Sequence, residues 1–199
     1  MPRSEELLLI ARAKRGNAEA FRALVEAYKE RLFAFVWRTV RDHHEAEDIC
    51  QSAFVKAYEA LATYQEQWAF STWLFTIAYR LSVNHMRKRR SATCEVDFSR
   101  ISGADDDVRN TVANTEEVHR LKSVIWEAVN QLSVPQRSSV VLFYREGKSC
   151  EEIGQVLDMP AVTVKSHLHR ARAKLRDVLQ VELVDDWVAL KCLSETRSA

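Results

Sequence analysis

The sequence predicts an all-α protein made of two small helical domains joined by a flexible linker. Three observations carry that prediction. Glycine and proline number only 4 and 3 among 199 residues, whereas a β-rich fold needs many turn formers. Apolar residues recur at three- and four-residue steps through two blocks, residues 1–90 and 116–183, which is the period of helices with one buried face. Between the blocks, residues 91–115 hold Gly103 and the acidic run Asp105, Asp106 and Asp107 with little apolar periodicity, the composition of a linker.

Bulk composition narrows the function classes. Apolar residues make up 47% of the chain and support a buried core. The formal net charge is only +1, so any basic surface for nucleic acid must be local. Cys50, Cys94, Cys150 and Cys192 are far apart, with no C-x-x-C pair; reduced thiols and a cytoplasmic location are expected. Leu7 to Ile10 is flanked by Glu5, Glu6 and Arg12, which is not a signal peptide. No stretch approaches the ~18 apolar residues of a membrane span.

In the first block, a short helix ends near Gly16 and Asn17 caps the next. That helix carries Phe21, Leu24, Val25, Tyr28, Leu32, Phe35 and Val36 on one face. Asp42 caps a third helix, whose buried stripe is Ala46, Ile49, Cys50, Ala53, Phe54, Ala57 and Leu61. Glu45, Glu47, Asp48, Gln51, Ser52 and Lys56 lie outside that stripe. Acid in the first turns suits the helix dipole; the same residues also suit docking of a basic partner. Residues 64–69 read as a loop. A fourth helix begins at Phe70, passes Trp73, Leu74, Ile77, Arg80 and Asn84, and reaches the basic run Arg87, Lys88, Arg89 and Arg90. Core packing is the plain reading for Trp73, Leu74 and Ile77. Rings interleaved with cations are also what single-stranded DNA requires, because bases stack on rings and phosphates meet charge. The four adjacent cations favour nucleic acid.

In the second block, Leu121, Val124, Ile125, Ala128, Val129 and Leu132 form a helical stripe. Pro135 breaks it and restarts a helix containing Val140, Val141 and Leu142, which Glu146-Gly147-Lys148 ends. Ser149 to Glu152 is a capping-box sequence, and Ile153, Val156 and Leu157 point inward from the short helix behind it. Asp158-Met159-Pro160 makes a turn, and a final helix starts near Val162. Two helices joined by a tight turn are the helix-turn-helix pattern. The final helix buries Val164, Leu168, Ala171 and Leu175. Thr163, Lys165, Ser166, His169, Arg170, Arg172, Lys174 and Arg176 lie off that stripe, and no acid occurs from Lys165 to Arg176. A solvated face usually mixes signs; an unmixed basic helix with short polar residues at its N-terminal end fits reading of the major groove.

These residues carry a family resemblance. Glu45 to Phe54 together with Phe70-x-x-Trp73-Leu74-x-x-Ile77-Ala78 resembles region two of extracytoplasmic-function RNA polymerase sigma factors. Pro135-Gln136-Arg137, Gly147 to Ile153 and Thr163 to Arg172 resemble region four. The resemblance covers nearly the whole chain in the family's order. It implies a factor that binds core RNA polymerase and directs promoter recognition, DNA melting and initiation. Glu45, Asp48, Gln51 and Ser52 would dock the clamp coiled coil of the largest subunit, with the flap region a second contact. Tyr64, Phe70, Trp73, Arg80, Asn84, Arg87, Lys88, Arg89 and Arg90 would hold the unpaired minus-ten element. Thr163, Lys165, Ser166, His167, His169, Arg170, Arg172 and Lys174 would read the minus-thirty-five duplex. The acidic linker would thread the core enzyme toward the RNA exit path, or serve only as a tether kept soluble by its charge. An anti-sigma factor is a further candidate partner.

The chain departs from the family pattern at Arg80 and Asn84, where Asn and Asp are common, at Val162 for Gly, at His167 for Arg and at Ser133 for Pro. A neutral His cannot fork onto guanine as Arg does, so the family's promoter sequence is not carried over. Leu183, with Val184, Trp187, Val188, Leu190 and Leu193 of the extension 184–199, suits a short amphipathic helix packed on region four, with a regulator-binding segment as the alternative. His43 and His44 open a helix, and a metal site needs further ligands at matching spacing; the sequence offers none, so no metal and no cofactor is expected. Three competing readings stay open. Thr163 to His167 also resembles response-regulator output domains, but a receiver would alternate strands and helices where residues 4–90 read as helical. Catalysis needs a converging nucleophile, base and orienting group, and no such set is visible. An adaptor that binds polymerase without DNA would be indifferent to charge reversal at Lys165, Arg170 and Arg172.

Overall fold

The computed structural model describes residues 1–92 and 116–180. Among them every regular element is helical, as the composition predicts, and they fall into two compact units. The first carries α1 (Arg3–Lys14), α2 (Ala18–Val40), α3 (His43–Glu59), a 3₁₀ turn (Leu61–Thr63) and α4 (Phe70–Ala92). The second carries α5 (Glu116–Asn130), α6 (Val134–Val140), a π-helical turn (Val141–Arg145), α7 (Cys150–Leu157) and α8 (Ala161–Gln180). Helix α4 runs two residues past the expected boundary at Arg90. The acidic run Asp105 to Asp107, Cys94, Cys192 and the amphipathic segment from Leu183 to Leu193 lie outside the described residues.

In the first unit α2 packs against α1, α3 and α4, and α3 packs against α4. Local chemistry sets the helix ends. The Ala20 amide donates to Asn17 Oδ1 at 2.9 Å and the Glu45 amide to Asp42 Oδ1 at 3.0 Å; each cap is worth ~1 kcal/mol. Gly16 takes φ +86° where α1 turns into α2, a conformation open to glycine without steric cost. Leu24, Leu32, Phe35, Leu74 and Phe75 are buried at the centre, with the rings of Phe35 and Phe75 5.1 Å apart. Three buried hydroxyls are locally satisfied: Thr39, Thr76 and Ser82 donate to the carbonyls of Phe35, Thr72 and Ala78. Phe54, expected in the buried stripe, is only half-buried.

In the second unit α8 packs against α5 and α6. Ile125, Val129, Leu142, Ile153, Val164, Leu168 and Leu175 fill its core. Buried Arg137 donates Nη1 to the carbonyls of Asn130 and Leu132, at 3.2 and 3.3 Å. Those carbonyls lie at and just beyond the C-terminal end of α5, where the helix supplies no partners for them. Ser133 and Gln136 form a capping box at α6, and Ser149 and Glu152 form the expected one at α7. Asp158 adopts the left-handed conformation at φ +57° and turns the chain from α7 into α8. Gly154 makes that turn possible: a Cβ there would meet the carbonyl oxygen of Met159 at 2.6 Å.

Candidate nucleic-acid and polymerase interfaces

The loop before α4 is organised by an aromatic cluster. Tyr64 packs edge-to-face on Phe70 at 5.6 Å, and both contact Trp73, at 5.3 and 5.6 Å. Phe70 also meets Tyr28 at 5.6 Å. The Tyr64 hydroxyl donates to the Trp68 carbonyl at 2.8 Å, and Lys14 Nζ donates to the Tyr64 carbonyl at 2.7 Å. Burial pushes the Tyr64 phenol up to about 12, with the charges of Glu6 and Glu66 adding to it. Tyr64 and Phe70 are only 4% and 1% exposed. This corrects their expected role: stacking on a base needs an open ring face, and both rings are consumed by the core. They hold the loop in shape instead.

Helix α4 presents a different set. Trp73, Ile77, Arg80 and Asn84 fall at successive four-, three- and four-residue steps, and so on one face. Trp73 and Ile77 are half-buried, while Arg80 and Asn84 are exposed. Trp73 and Ile77 are therefore not the plain core residues that the sequence suggests, whereas Leu74 is fully buried. Arg87 and Lys88 continue the exposed cationic surface, with Arg87 Nη2 3.4 Å from Asn84 Oδ1. Arg89 is engaged by Glu45, and the side chain of Arg90 lies outside the described residues.

Helix α3 turns Glu47, Asp48, Gln51 and Ser52 to solvent. Glu45 behaves otherwise, which corrects its expected place on the docking face. Its Oε1 lies 3.1 Å from both His85 Nε2 and Arg89 Nη1, tying α3 to α4, and its Oε2 is buried without a hydrogen-bond partner. The sequence reading missed Val55, 57% exposed and four residues beyond Gln51 on the same face. Its exclusion from the buried stripe was the available signal. The expectation of no third metal-ligating group also needs correction: donor atoms of His43, His44 and Glu47 all lie within 4.8 Å of one another, with Glu47 Oε2 3.7 and 3.8 Å from the two imidazoles. A cation held there would face the positive end of the α3 dipole, and we assign it no metal.

Helix α8 follows the α7 turn as the second helix of the helix-turn-helix. Val164, Leu168, Ala171 and Leu175 are buried as expected, and Lys165, Ser166, His169 and Arg170 are exposed. Thr163 and His167 are half-buried, and His167 Nδ1 is buried without a hydrogen-bond partner. Two expected contacts are engaged within the unit, Arg172 half-buried and Lys174 at the surface. Arg172 Nε donates to the Tyr144 hydroxyl at 2.7 Å, with its guanidinium 5.6 and 5.7 Å from the rings of Phe143 and Tyr144. Lys174 Nζ donates to the Gln131 carbonyl at 2.6 Å. Both cations fasten α8 to its own unit, so the outward-facing set is narrower than the sequence implied. Val162, marked in the sequence only as a departure from glycine, is 69% exposed at the start of α8.

Comparison with known proteins gives a consistent result. Residues 24–92 match the Sigma-70 region 2 family and residues 122–175 the Sigma-70 region 4 family. The chain is 32% identical over 181 residues to the ECF RNA polymerase sigma factor SigW of Bacillus subtilis, covering 86% of this chain and 95% of that one. It is 31% identical over 188 residues to the RNA polymerase sigma-H factor of Pseudomonas aeruginosa, covering 90% and 96%. Its fold is similar to CnrH, solved in complex with the cytosolic domain of CnrY, with a TM-score of 0.65 and 25% identity over 90% of this chain and 99% of that one.

Proposed function

The chain belongs to the extracytoplasmic-function sigma factors, the initiation factors that direct RNA polymerase to promoters, and from that premise we propose how its own residues divide the work. The exposed face of α3, with Asp48, Gln51, Ser52 and Val55, docks the clamp coiled coil of core polymerase; its charge and exposure support this. The α4 face of Trp73, Arg80 and Asn84, continued by Arg87 and Lys88, holds the unpaired minus-ten strand. A ring that is half open to solvent contributes ~1–3 kcal/mol per stacked base. Melting then follows from differential binding: unstacked bases gain contacts that paired ones cannot make. The outward side of α8, with Lys165, Ser166, His169 and Arg170, reads the minus-thirty-five duplex.

One observation carries the reading of α8. Its outward side combines cations with short polar side chains, and no acid occurs anywhere from Val162 to Arg176. The protein acts in the cytoplasm, where polymerase and promoter meet; no described helix is long and apolar enough to cross a membrane. We include an anti-sigma factor among its partners, on the likeness to a protein solved with a bound partner domain.

The test is reconstitution with sigma-free core polymerase on a promoter library, reading transcript starts. We expect starts downstream of one shared two-part element. Lys165→Glu with Arg170→Glu should abolish selection of the upstream part while association with core persists. Unchanged selection in that variant would favour an adaptor that never touches DNA. Absence of both promoter-directed RNA and core association would end the proposal.

A further inference from the structure

Resting on the reading of α8 as the promoter-facing helix, we infer that Val162 is a specificity-determining residue that selects thymine through its 5-methyl group.

Val162 is the most exposed large apolar side chain among the described residues. It is the second residue of α8 and precedes Lys165, Ser166 and His169 by three, four and seven positions, so it belongs to the same face as they do. A hydrogen bond fixes the neighbourhood: Ser166 Oγ donates to the Val162 carbonyl at 3.1 Å. The side chain therefore sits at the leading end of the polar surface, where helix-turn-helix proteins bring residues to base edges.

Nothing in the unit's own packing accounts for a valine here. Its isopropyl group is left to water, and a β-branched residue is a poorer helix former than its straight-chain alternatives. Its χ1 is nearly fixed within a helix, which makes it a rigid apolar tip. A side chain without donors or acceptors cannot distinguish the polar groups of the major groove. The feature it can recognise is the one apolar group there, the methyl of thymine. At any other base it would cover polar edges and return nothing. The exposed residues around it on α8 are Lys165, Ser166, His169 and Arg170; a lone apolar tip among them fits a methyl group on a polyanion better than an apolar protein groove.

The test deletes the methyl from each side in turn. Holoenzyme made with the full chain is first assayed on a library randomised across the minus-thirty-five element, locating positions where thymine is preferred. Deoxyuridine then replaces thymine at each of them. Wild-type holoenzyme should lose about fourfold in promoter affinity at one position, the effect of one buried methyl-sized group. Val162→Ala, whose side chain ends at Cβ short of the contact, should lose nothing on the same replacement, while Val162→Thr, which keeps a γ-methyl, should retain part of the discrimination. Thermal midpoint and core association of these variants should match wild type, because the site is solvent-exposed. If wild type treats uracil and thymine alike everywhere, or if Val162→Ala still distinguishes them, the inference is overturned. A library with no minus-thirty-five preference at all would instead overturn the reading of α8 itself.

Discussion

The guanidinium of Arg172 reaches the hydroxyl of Tyr144 at 2.7 Å, linking α8 to the π-helical turn that precedes α7. This contact changes what the residue is for. A cation on the recognition helix is naturally assigned to phosphate, yet here it clasps two aromatic rings of its own unit. Arg172→Ala should therefore lower stability by about 2 kcal/mol, combining a charged hydrogen bond with a cation–π contact. Tyr144→Phe keeps the ring and should cost ~1 kcal/mol. Urea unfolding of both variants checks this; an Arg172→Ala protein of wild-type stability would contradict it.

Lys165 and Arg170 are exposed on the same helix and should behave differently. Replacing either by Ala should leave the thermal midpoint unchanged and weaken promoter binding. A residue that neutralises one phosphate should reduce the slope of log affinity against log salt by about 0.9. A residue that reads guanine should relax preference at one base pair, at a cost of ~1–3 kcal/mol. Salt titrations of promoter binding by holoenzyme distinguish the two.

Glu45 and Asp48 sit within one turn of α3 and should separate cleanly. Glu45 binds His85 and Arg89 of α4, so Glu45→Ala should loosen the helix pair, by ~1 kcal/mol or less because the partners are solvent-screened. Asp48 is exposed, so Asp48→Lys should leave stability unchanged and weaken association with core polymerase tenfold or more, the cost of placing like charges at a basic interface. Paired melting curves and core-binding titrations test both. Loss of core association in Glu45→Ala alone, at unchanged stability, would reverse the assignment.

Gly154 has no room for a side chain. With the Met159 carbonyl 2.6 Å from the position of a Cβ, Gly154→Ala must push the α7–α8 turn apart, at ~1–3 kcal/mol. Hydrogen exchange should show protection lost around α7 and α8 and retained in α2 and α4.

Alkali should destabilise the first unit. Burial pushes the Cys50 thiol and the Tyr64 phenol up to about 12, from ordinary values of 9.0 and 10.0. Burial raises Tyr28 and Tyr79 as well, Tyr28 also through its hydrogen bond to Glu6. From about pH 9 to 12 the unfolded chain holds fewer protons than the folded one, so stability falls as pH rises and is fully present below that window. The urea midpoint should drop steadily through that range, and Cys50→Ala should flatten the fall at its lower end. A midpoint constant to pH 11 would exclude this.

Sequence periodicity alone determined the helices, their caps at Asn17, Asp42 and Ser149, and the buried stripe of α8, because helix formation and capping are chemistry among residues within four positions of one another. It also made both polar faces legible as faces. It did not determine which members of each face are available. Glu45 and Arg89 are 44 residues apart, Arg172 and Tyr144 28, Lys174 and Gln131 43, and no local pattern says that such groups will meet. The same holds for Tyr64 and Phe70, whose rings read as base-stacking surfaces until packing closes over them. Only tertiary structure decided which charges and rings the fold keeps for itself and which, such as Lys165 and Trp73, it leaves accessible.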